Sequence, residues 1–274
     1  MISPARPGSP GSGSVTPGPA TGRAALVLAP NPSPMTLDGT NTWVLVEPGS
    51  SEAVVVDPGP LHEGHLAAVL KQVEAADARV AVILLTHGHP DHAEGAKRFA
   101  ALAGAPVRAL DPAQRHGAEG LADGDVMSVG GLEVRVVATP GHTGDSLSFL
   151  LPADRALLTG DTVLGRGTTV VAYPDGRLAD YLDSLIHIRR LTESGDVAVV
   201  LPGHGPVVSQ PGPAVEFYLS HRAARLAQVE DAMAAGDRTA KAIVQRVYAD
   251  IDPGLWPAAE LSVRAQLEYL KARS

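Results

Sequence analysis

The sequence contains no cysteine and few aromatic residues. Without cysteine among its 274 residues, the chain has no disulfide, no thiolate metal ligand and no cysteine nucleophile. Histidine and carboxylate side chains are therefore the strong metal ligands that it offers. Only two Trp, five Tyr and three Phe occur, yet 45% of the residues are hydrophobic, so we expect a core built mainly from Ala, Val and Leu. A chain of this length is long enough to bury a sizeable core.

Long apolar runs and excess positive charge are also missing. No run approaches the roughly 18 apolar residues of a membrane-spanning helix. Residues 1–21 are rich in Pro, Gly and Ser and lack the apolar segment of a secretory signal, so we expect a soluble cytoplasmic protein with no membrane partner. The formal net charge of -8 argues against broad electrostatic binding of a nucleic-acid backbone, which requires many Lys and Arg. The sequence leaves the oligomeric state open.

Composition and periodicity divide the chain into three parts. Residues 1–22 are predicted to be a disordered tail, 23–212 a mixed α/β domain and 213–274 a helical appendage. Short apolar runs, separated by turns that contain Gly or Pro, alternate with helical patterns in the domain. The predicted strands are 24–29, 42–47, 52–57, 79–85, 106–109, 131–138, 146–151, 155–159 and 197–201. The predicted helices are 61–76, 91–103, 179–191, 214–234, 239–249 and 257–272.

The most informative segment combines four potential metal ligands in six residues. The apolar run 81–85 leads directly into the sequence THGHPDH. This sequence supplies His87, His89, Asp91 and His92. Because Gly and Pro allow a turn between them, these side chains need not alternate as they would along a strand. Three imidazoles and one carboxylate are ligands that zinc accepts, and they can converge on one metal ion or on two.

Three later segments each offer one further ligand just after an apolar run that ends in Gly or Pro. These ligands are His142, Asp161 and His204. A strand that ends in such a turn brings a side chain to the rim of a sheet, where rigid scaffolds present their chemistry. A single loop histidine is usually a surface residue, but seven ligands from four such segments indicate a metal site. The other histidines lack this context, and we expect them to be ordinary surface or packing residues: His62, His65, His116, His187 and His221.

The HxHxDH motif, followed by single His, Asp and His residues, resembles the metallo-beta-lactamase superfamily of metallohydrolases over roughly residues 24–208. The resemblance implies an α/β (α+β) fold, the αββα metallo-beta-lactamase sandwich, and two zinc ions per chain; iron or manganese would also suit these ligands. One zinc would be held by His87, His89 and His142, and the other by Asp91, His92 and His204. Asp161 would bridge the two ions, and a hydroxide that they share would be the nucleophile.

The carboxylates of this set, Asp91 and Asp161, are expected to be catalytic, because two neighbouring cations repel and need negative charge beside them. Asp57 matches an early strand-end aspartate of the superfamily and is expected to accept a hydrogen bond from a ligand histidine or its loop. The other expected contributors are Thr86 and Thr162 beside the ligands, and Asn41 and Thr169 in the substrate cleft.

Two further segments resemble one branch of the superfamily, the beta-lactamase-like protein 2 group. They are 31–43 (NPSPMTLDGTNTW) and 165–169 (GRGTT), and the helical C-terminus resembles the small winged-helix-like appendage of that group. Related members include endoribonucleases selective for single strands, which implies a phosphodiester-cleaving activity on single-stranded RNA. The appendage is not notably basic, however. A glyoxalase II-like hydrolase of a small thioester or ester would use the same seven ligands, although no basic cluster near the C-terminus that would seat glutathione is evident.

Two functions of other kinds remain open. One is a metal-binding scaffold without catalysis. The presence of all seven ligands argues against it. The other is a dioxygenase with a single iron in the same site, since histidine and carboxylate also bind iron. Two zinc ions per chain would indicate a hydrolase, and one iron the dioxygenase.

Overall fold

The domain contains two mixed five-stranded sheets. The computed structural model describes residues 20–250 and 252–273. The first sheet has the order β1-β2-β3-β4-β5 and consists of β1 (Ala24–Leu28), β2 (Asn41–Val46), β3 (Glu52–Val56), β4 (Arg79–Leu84) and β5 (Val107–Arg108). The second sheet has the order β10-β9-β8-β7-β6 and consists of β6 (Val126–Val129), β7 (Leu132–Ala138), β8 (Leu147–Leu151), β9 (Ala156–Gly160) and β10 (Val199–Pro202). Pairing is parallel within β3-β4-β5 and in β9-β10, and antiparallel elsewhere.

Helices cover the outer faces of both sheets and form the appendage. They are α1 (Glu63–Glu74), α2 (Pro90–Ala93), α3 (Ala96–Ala103), α4 (Leu178–Glu193), α5 (Pro211–Ala234), α6 (Ala240–Val247) and α7 (Trp256–Lys271). Among the described residues, none of these helices has the length and the apolar character that crossing a membrane would require.

Strand alternation produces the layers. Along β2, Trp43 and Leu45 pack between the two sheets, whereas Val44 between them packs against the layer of α1 and α3. On β8, Phe149 lies in the core between the sheets and Leu150 in the layer that contains α4. Side chains at successive strand positions point to opposite faces, so a strand that is apolar on both faces must be covered on both. The result is the αββα sandwich that the sequence predicted.

The appendage is joined to the domain by one continuous helix. The first part of α5 packs against α4 and the second sheet through Val215 and Tyr218, and its last turns pack against α6 and α7 through Val229 and Ala232. The predicted boundaries at 22/23 and 212/213 remain predictions. Most of the predicted tail lies outside the described residues; of its residues 20–22, Ala20 donates a backbone hydrogen bond to Ala24 and the Thr21 hydroxyl bonds to Asp154.

Two elements differ from the sequence prediction. The helix expected over 91–103 is broken into α2 and α3, because the N–H of Gly95 donates to the carbonyl of Gly59, 2.9 Å away, in the loop after β3. A Cβ at Gly95 would lie 2.9 Å from that same oxygen, so the two loops approach each other closely. The strand β6 was not expected, since it is a four-residue edge strand in which only Met127 is buried.

The contact between α5 and the loop after β9 provides a test of the packing. The buried hydroxyl of Tyr218 accepts a hydrogen bond of 2.8 Å from the backbone N–H of Leu164. Tyr218→Phe leaves this N–H without its partner and should lower the free energy of unfolding by about 1–3 kcal/mol in urea titrations. Tyr173→Phe is the control, because Tyr173 is 42% exposed. Equal stability of the two variants would contradict the proposed role of this contact.

Candidate metal centre

Four strand ends bring the seven predicted ligands together. The loop after β4 and the first turn of α2 contribute four of them, and the turns after β7, β9 and β10 contribute one each. They meet at the rim where the two sheets face each other. The side-chain atoms fall into three overlapping groups, within each of which all ligand atoms lie within 4.8 Å of one another. The groups are His87, His89 and His142; His87, His92 and Asp161; and Asp91, His92 and His204.

The first triad consists of three imidazoles. His89 Nδ1 lies 3.1 Å from His87 Nε2 and 3.0 Å from His142 Nε2. Zinc–nitrogen bonds of 2.0–2.1 Å in a tetrahedral site separate the ligand nitrogens by roughly 3.3 Å. The three nitrogens therefore have about the spacing that one metal ion requires.

The second triad combines two imidazoles with a carboxylate. His92 Nε2 lies 3.2 Å from His204 Nε2 and 3.3 Å from Asp91 Oδ2, and His204 Nε2 lies 3.1 Å from the same oxygen. These separations again match the edges of a tetrahedral coordination shell. These two groups have the members that the resemblance to the superfamily implied, and metal binding by them remains a prediction.

Asp161 lies between the triads and presents one oxygen to each. Its Oδ1 is 3.4 Å from His92 Nε2 and 3.3 Å from His204 Nε2, while its Oδ2 is 3.7 Å from His142 Nε2. Oδ1 is buried and has no hydrogen-bond partner of acceptable geometry among the described residues. A buried carboxylate oxygen without a donor is costly, and a cation on each side would satisfy it.

The outer nitrogens of four histidines are held by acceptors that define their tautomers. His142 Nδ1 donates to the carbonyl of Val170 at 2.8 Å, and His204 Nδ1 donates to the carbonyl of Gly39 at 3.1 Å. Because a carbonyl oxygen only accepts, both Nδ1 atoms carry a proton, which leaves Nε2 of each ring as the atom that offers a lone pair once a metal ion takes the place of its proton. These lone pairs are directed into the centre, as metal ligands require.

Asp57 organises the remaining two histidines. Its Oδ2 accepts from His92 Nδ1 at 2.9 Å and from the Thr86 hydroxyl at 2.6 Å, and its Oδ1 accepts from the Thr86 N–H at 2.8 Å. The Thr86 hydroxyl then accepts from His87 Nδ1 at 3.0 Å. A single buried carboxylate thus orients one histidine of each triad, directly for His92 and through Thr86 for His87. The geometry agrees with the positions expected for Asp57 and Thr86.

The charges at the centre favour cation binding. Burial raises the pKa of Asp91 and Asp161, but the imidazoles of His92 and His204 outweigh it and hold both pKa values below their usual range. Conversely, burial lowers the pKa of His204, but Asp161 and Asp91 raise it to about 9. Burial together with neighbouring imidazoles keeps the pKa of His87 well below its usual value. The carboxylates are therefore ionised, and they draw positive charge that metal ions can supply in place of protons.

Two glycines leave room for this arrangement. A Cβ at Gly203, next to His204, would lie 2.7 Å from Asp161 Oδ1 and 2.8 Å from Cε1 of His92. Gly160 has φ +48°, and a Cβ there would lie 2.6 Å from the Thr86 hydroxyl. Close approach of the strand ends is thus possible only without side chains at these positions. The spacing, the unpartnered carboxylate oxygen and the ligand types all fit two metal ions.

The structure places three further residues that were expected to lie beside the ligands or in the substrate cleft, and only one of them lines a cleft. Asn41 does not line a cleft: it is 1% exposed, and its amide donates to the carbonyls of Pro202 and Gly205, which fixes the loop that carries His204. The hydroxyl of Thr162 bonds to Thr139 instead of a ligand, because the side chain points into the domain behind Asp161. Thr169 donates to the carbonyl of Asp161 and also lies in the wall of a cleft beside the centre.

Comparison with known proteins agrees with this geometry. Residues 35–204 match the family description "Metallo-beta-lactamase superfamily", and residues 239–273 match "Beta-lactamase associated winged helix domain". The chain belongs to the metallo-beta-lactamase superfamily. Membership confirms the predicted family and fold and the prediction that the chain is a hydrolytic enzyme. Within the appendage, the described part of the matched winged helix region consists of α6, a short 3-10 helix and α7.

The alignments with named relatives span most of the length of this superfamily member. The beta-lactamase-like protein 2 homolog of Caenorhabditis elegans is 32% identical over 253 residues, which covers 89% of this chain and 82% of that protein. The atrochrysone carboxyl ACP thioesterase of Aspergillus fumigatus is 35% identical over 214 residues, which covers 76% of this chain and 64% of that protein. The crystal structure of a metallo-beta-lactamase family protein from Thermus thermophilus has a TM-score of 0.74 at 24% identity and covers 91% of this chain and 93% of that one.

Sequence reasoning missed one buried cation near the centre of this metallo-beta-lactamase superfamily member. Arg222 on α5 donates to the carbonyl of Thr169, and its guanidinium lies 5.0 Å from the centre of the Tyr181 ring. Arg222 and Arg225 are three positions apart and therefore share one face of the predicted helix 214–234. That spacing was the available signal, but only the tertiary structure shows that this face meets Thr169, whose hydroxyl donates to the carbonyl of Asp161.

The role of Asp57 can be tested by changing its carboxylate to an amide. Asp57 accepts hydrogen bonds from His92 and from Thr86. In Asp57→Asn, the amide N–H group would face one of these donors and could not accept from it, so His92 and Thr86 lose their orientation. Zinc affinity should fall by roughly 10- to 100-fold in competition titrations with a chromophoric chelator, while far-ultraviolet circular dichroism stays unchanged. Asp77→Asn is a matched control, because both aspartates have φ 51°, which asparagine tolerates, and Asp77 is exposed. Equal zinc affinity of Asp57→Asn and the control would contradict this role.

Proposed function

We propose that the protein is a thioester hydrolase that uses two zinc ions. His87, His89 and His142 would hold one ion, and Asp91, His92 and His204 the other. The observation that carries the proposal is that Asp161 presents one carboxylate oxygen to each triad. When bound, the two ions supply a water or hydroxide nucleophile at neutral pH and polarise the carbonyl oxygen of the substrate. A single-iron dioxygenase would leave one of the two triads without a purpose.

The chain's own residues position these groups. Asp161 keeps the two triads together, because its negative charge lies between two sites that would otherwise repel each other's cations. Asp91 is the more accessible carboxylate, with 27% of its side chain exposed against 11% for Asp161. Its ionised oxygen can accept a hydrogen bond from an attacking water and orient it. The Thr40 hydroxyl, 3.5 Å from Asp91 Oδ2, supports this carboxylate from the other side.

The leaving group favours a thioester over a phosphodiester. Cleavage of a phosphodiester releases an alkoxide, whose basicity is close to that of hydroxide (water has a pKa of about 15.7), and needs a proton donor. A thiol has a pKa of about 8.5 and leaves as the thiolate without one. Asp91 and Asp161 would both be metal ligands, which requires the ionised carboxylate, so neither is a ready proton donor. The relative named as an ACP thioesterase supports the same substrate class.

Single-stranded RNA is the weaker of the two substrate classes considered from the sequence. Residues 213–274 contain eight acidic residues and eight Lys or Arg residues, and so carry no net positive charge for a phosphate backbone. None of the relatives described above is named for acting on RNA. Cleavage of RNA is therefore an outcome of the test and not our proposal.

The test compares three substrates and two variants. Zinc-loaded protein is assayed with the hexanoyl thioester of N-acetylcysteamine, single-stranded RNA and bis-p-nitrophenyl phosphate. We expect hydrolysis of the thioester, and we expect Asp161→Asn to lower its kcat/KM by at least about 100-fold and to lower the zinc content, because the charge between the ions is lost. Asp77→Asn should keep full activity.

Three results would contradict the proposal. Absence of thioester hydrolysis by the zinc-loaded protein would refute it directly. Full thioesterase activity of Asp161→Asn would exclude the two-ion mechanism. Cleavage of RNA without hydrolysis of the thioester, lost in Asp161→Asn, would assign the protein to the endoribonucleases instead.

A further inference from the structure

A cleft of about 230 Å³ lies between the metal centre and the appendage. Thr168, Thr169 and Val170 form part of its wall, and this segment also contacts the centre: Thr169 donates to the carbonyl of Asp161, and Val170 accepts from His142. Pro34 and Met35 form another part, in the segment that leads to Gly39, the acceptor for His204. The segment 168–170 thus borders the cleft and also contacts Asp161 and His142.

The opposite wall carries positive charge without a negative partner. Arg222 is 7% exposed and lines the cleft, yet no carboxylate lies within ion-pair distance of Arg222 or Arg225 in residues 20–250 and 252–273. The Nε atom of Arg222 is buried and has no hydrogen-bond partner in that part of the chain. Burying a guanidinium without a counter-ion is expensive, so an anion in the cleft that Arg222 lines would offset part of that cost.

A second arginine adds positive charge to this wall, beside a histidine that stays neutral. Arg225 lies 4.5 Å from the centre of the Tyr248 ring and donates to Gln228 and to the carbonyl of Val247, contacts that hold the guanidinium without neutralising it. Burial lowers the pKa of His221, and the two arginines lower it further. The His221 Nδ1 atom is also buried without a partner among the described residues.

Most of the remaining lining of the cleft is apolar. Its floor and rim are formed by Pro34, Met35, Leu255, Ala258 and Ala259. The volume is several times the roughly 30 Å³ that a water molecule occupies in the liquid, so the cleft holds more than a small inorganic ion. A ligand that matches these walls has an apolar arm and an anionic end.

We propose that this cleft binds a carboxylate or phosphate group that the thioester substrate carries on an apolar arm, with Arg222 and Arg225 as its partners. Arginine suits both anions, because its planar guanidinium donates to two oxygens at once. The inference rests on the proposed thioesterase function and specifies its substrate class. The anion could belong to the acyl group, as the free carboxylate of a dicarboxylic acid, or to the thiol, as the phosphate of phosphopantetheine.

The kinetic test uses thioesters that differ only in charge. Hexanoyl and adipoyl thioesters of N-acetylcysteamine have the same chain length, but only the second has a terminal carboxylate; hexanoyl phosphopantetheine places a phosphate on the thiol side. Arg225→Gln should lower kcat/KM for one anionic substrate by roughly 10- to 100-fold, mainly through KM, and leave the neutral hexanoyl thioester within about twofold. The substrate that responds identifies the source of the anion. Arg222→Gln should act in the same direction.

Arg264→Gln is the matched control, since Arg264 lines a different concavity and is paired with Glu260, and it should not alter the charge preference. Arg225→Gln is the main variant because Arg225 is only half-buried and the fold depends on it less than on Arg222. Equal losses on neutral and anionic thioesters, or no loss on any of them, would overturn the proposal and leave both arginines with a structural role.

A binding measurement separates this proposal from the proposed reaction. If no thioester is hydrolysed, the proposed function fails, and calorimetric titration with adipate and with free phosphopantetheine then tests the cleft alone. Binding that is weakened at least about tenfold in Arg225→Gln, but not in Arg264→Gln, would support the anion site. The same affinity in all three proteins, or no binding to any, would overturn it.

Discussion

The structure depends on the convergence of seven candidate metal ligands whose lone pairs share one small space. Imidazole nitrogens face each other at 3.0–3.2 Å, a separation that is unfavourable unless a proton or a metal ion lies between them. The arrangement persists because outer hydrogen bonds fix the rings from behind, from Asp57, from Thr86 and from two backbone carbonyls. Each of these acceptors lies on a buried strand end or a tightly packed loop. The scaffold therefore supplies the stability that the ligands themselves do not.

This requirement accounts for much of the surrounding fold. The ligands come from both sheets, so the rim where the sheets meet must be rigid, and the apolar core between the sheets provides that rigidity. Asn41 ties the end of β2 to the loop that carries His204, and Gly203 allows that loop to approach Asp161. The helix α5 then continues from the domain into the appendage and places Arg222 beside the wall of the centre. The segment around Thr169 would thus border both the candidate metal centre and the cleft proposed to select the substrate.

Much of the fold and the ligand set could be predicted from the sequence, because those signals are local. The run THGHPDH follows an apolar strand, and each later ligand follows another, so their common rim follows from strand direction. What escaped prediction depends on contacts between distant segments. Gly95 breaks a helix because the loop at Gly59 accepts its N–H, and Asn41 is buried because two remote carbonyls receive its amide. Arg222 was missed for the same reason: nothing along the chain indicates that its helix face meets Thr169.

The number of metal ions that one chain binds tests the paired metal centre most directly. The protein would be stripped with a chelator, loaded with excess zinc, dialysed against metal-free buffer and analysed by inductively coupled plasma mass spectrometry against its amino-acid content. We expect two zinc ions per chain, one for each triad with Asp161 between them. A single ion at saturation, of zinc or of iron, would contradict the paired centre. Absence of retained metal would contradict the assignment of these residues as ligands.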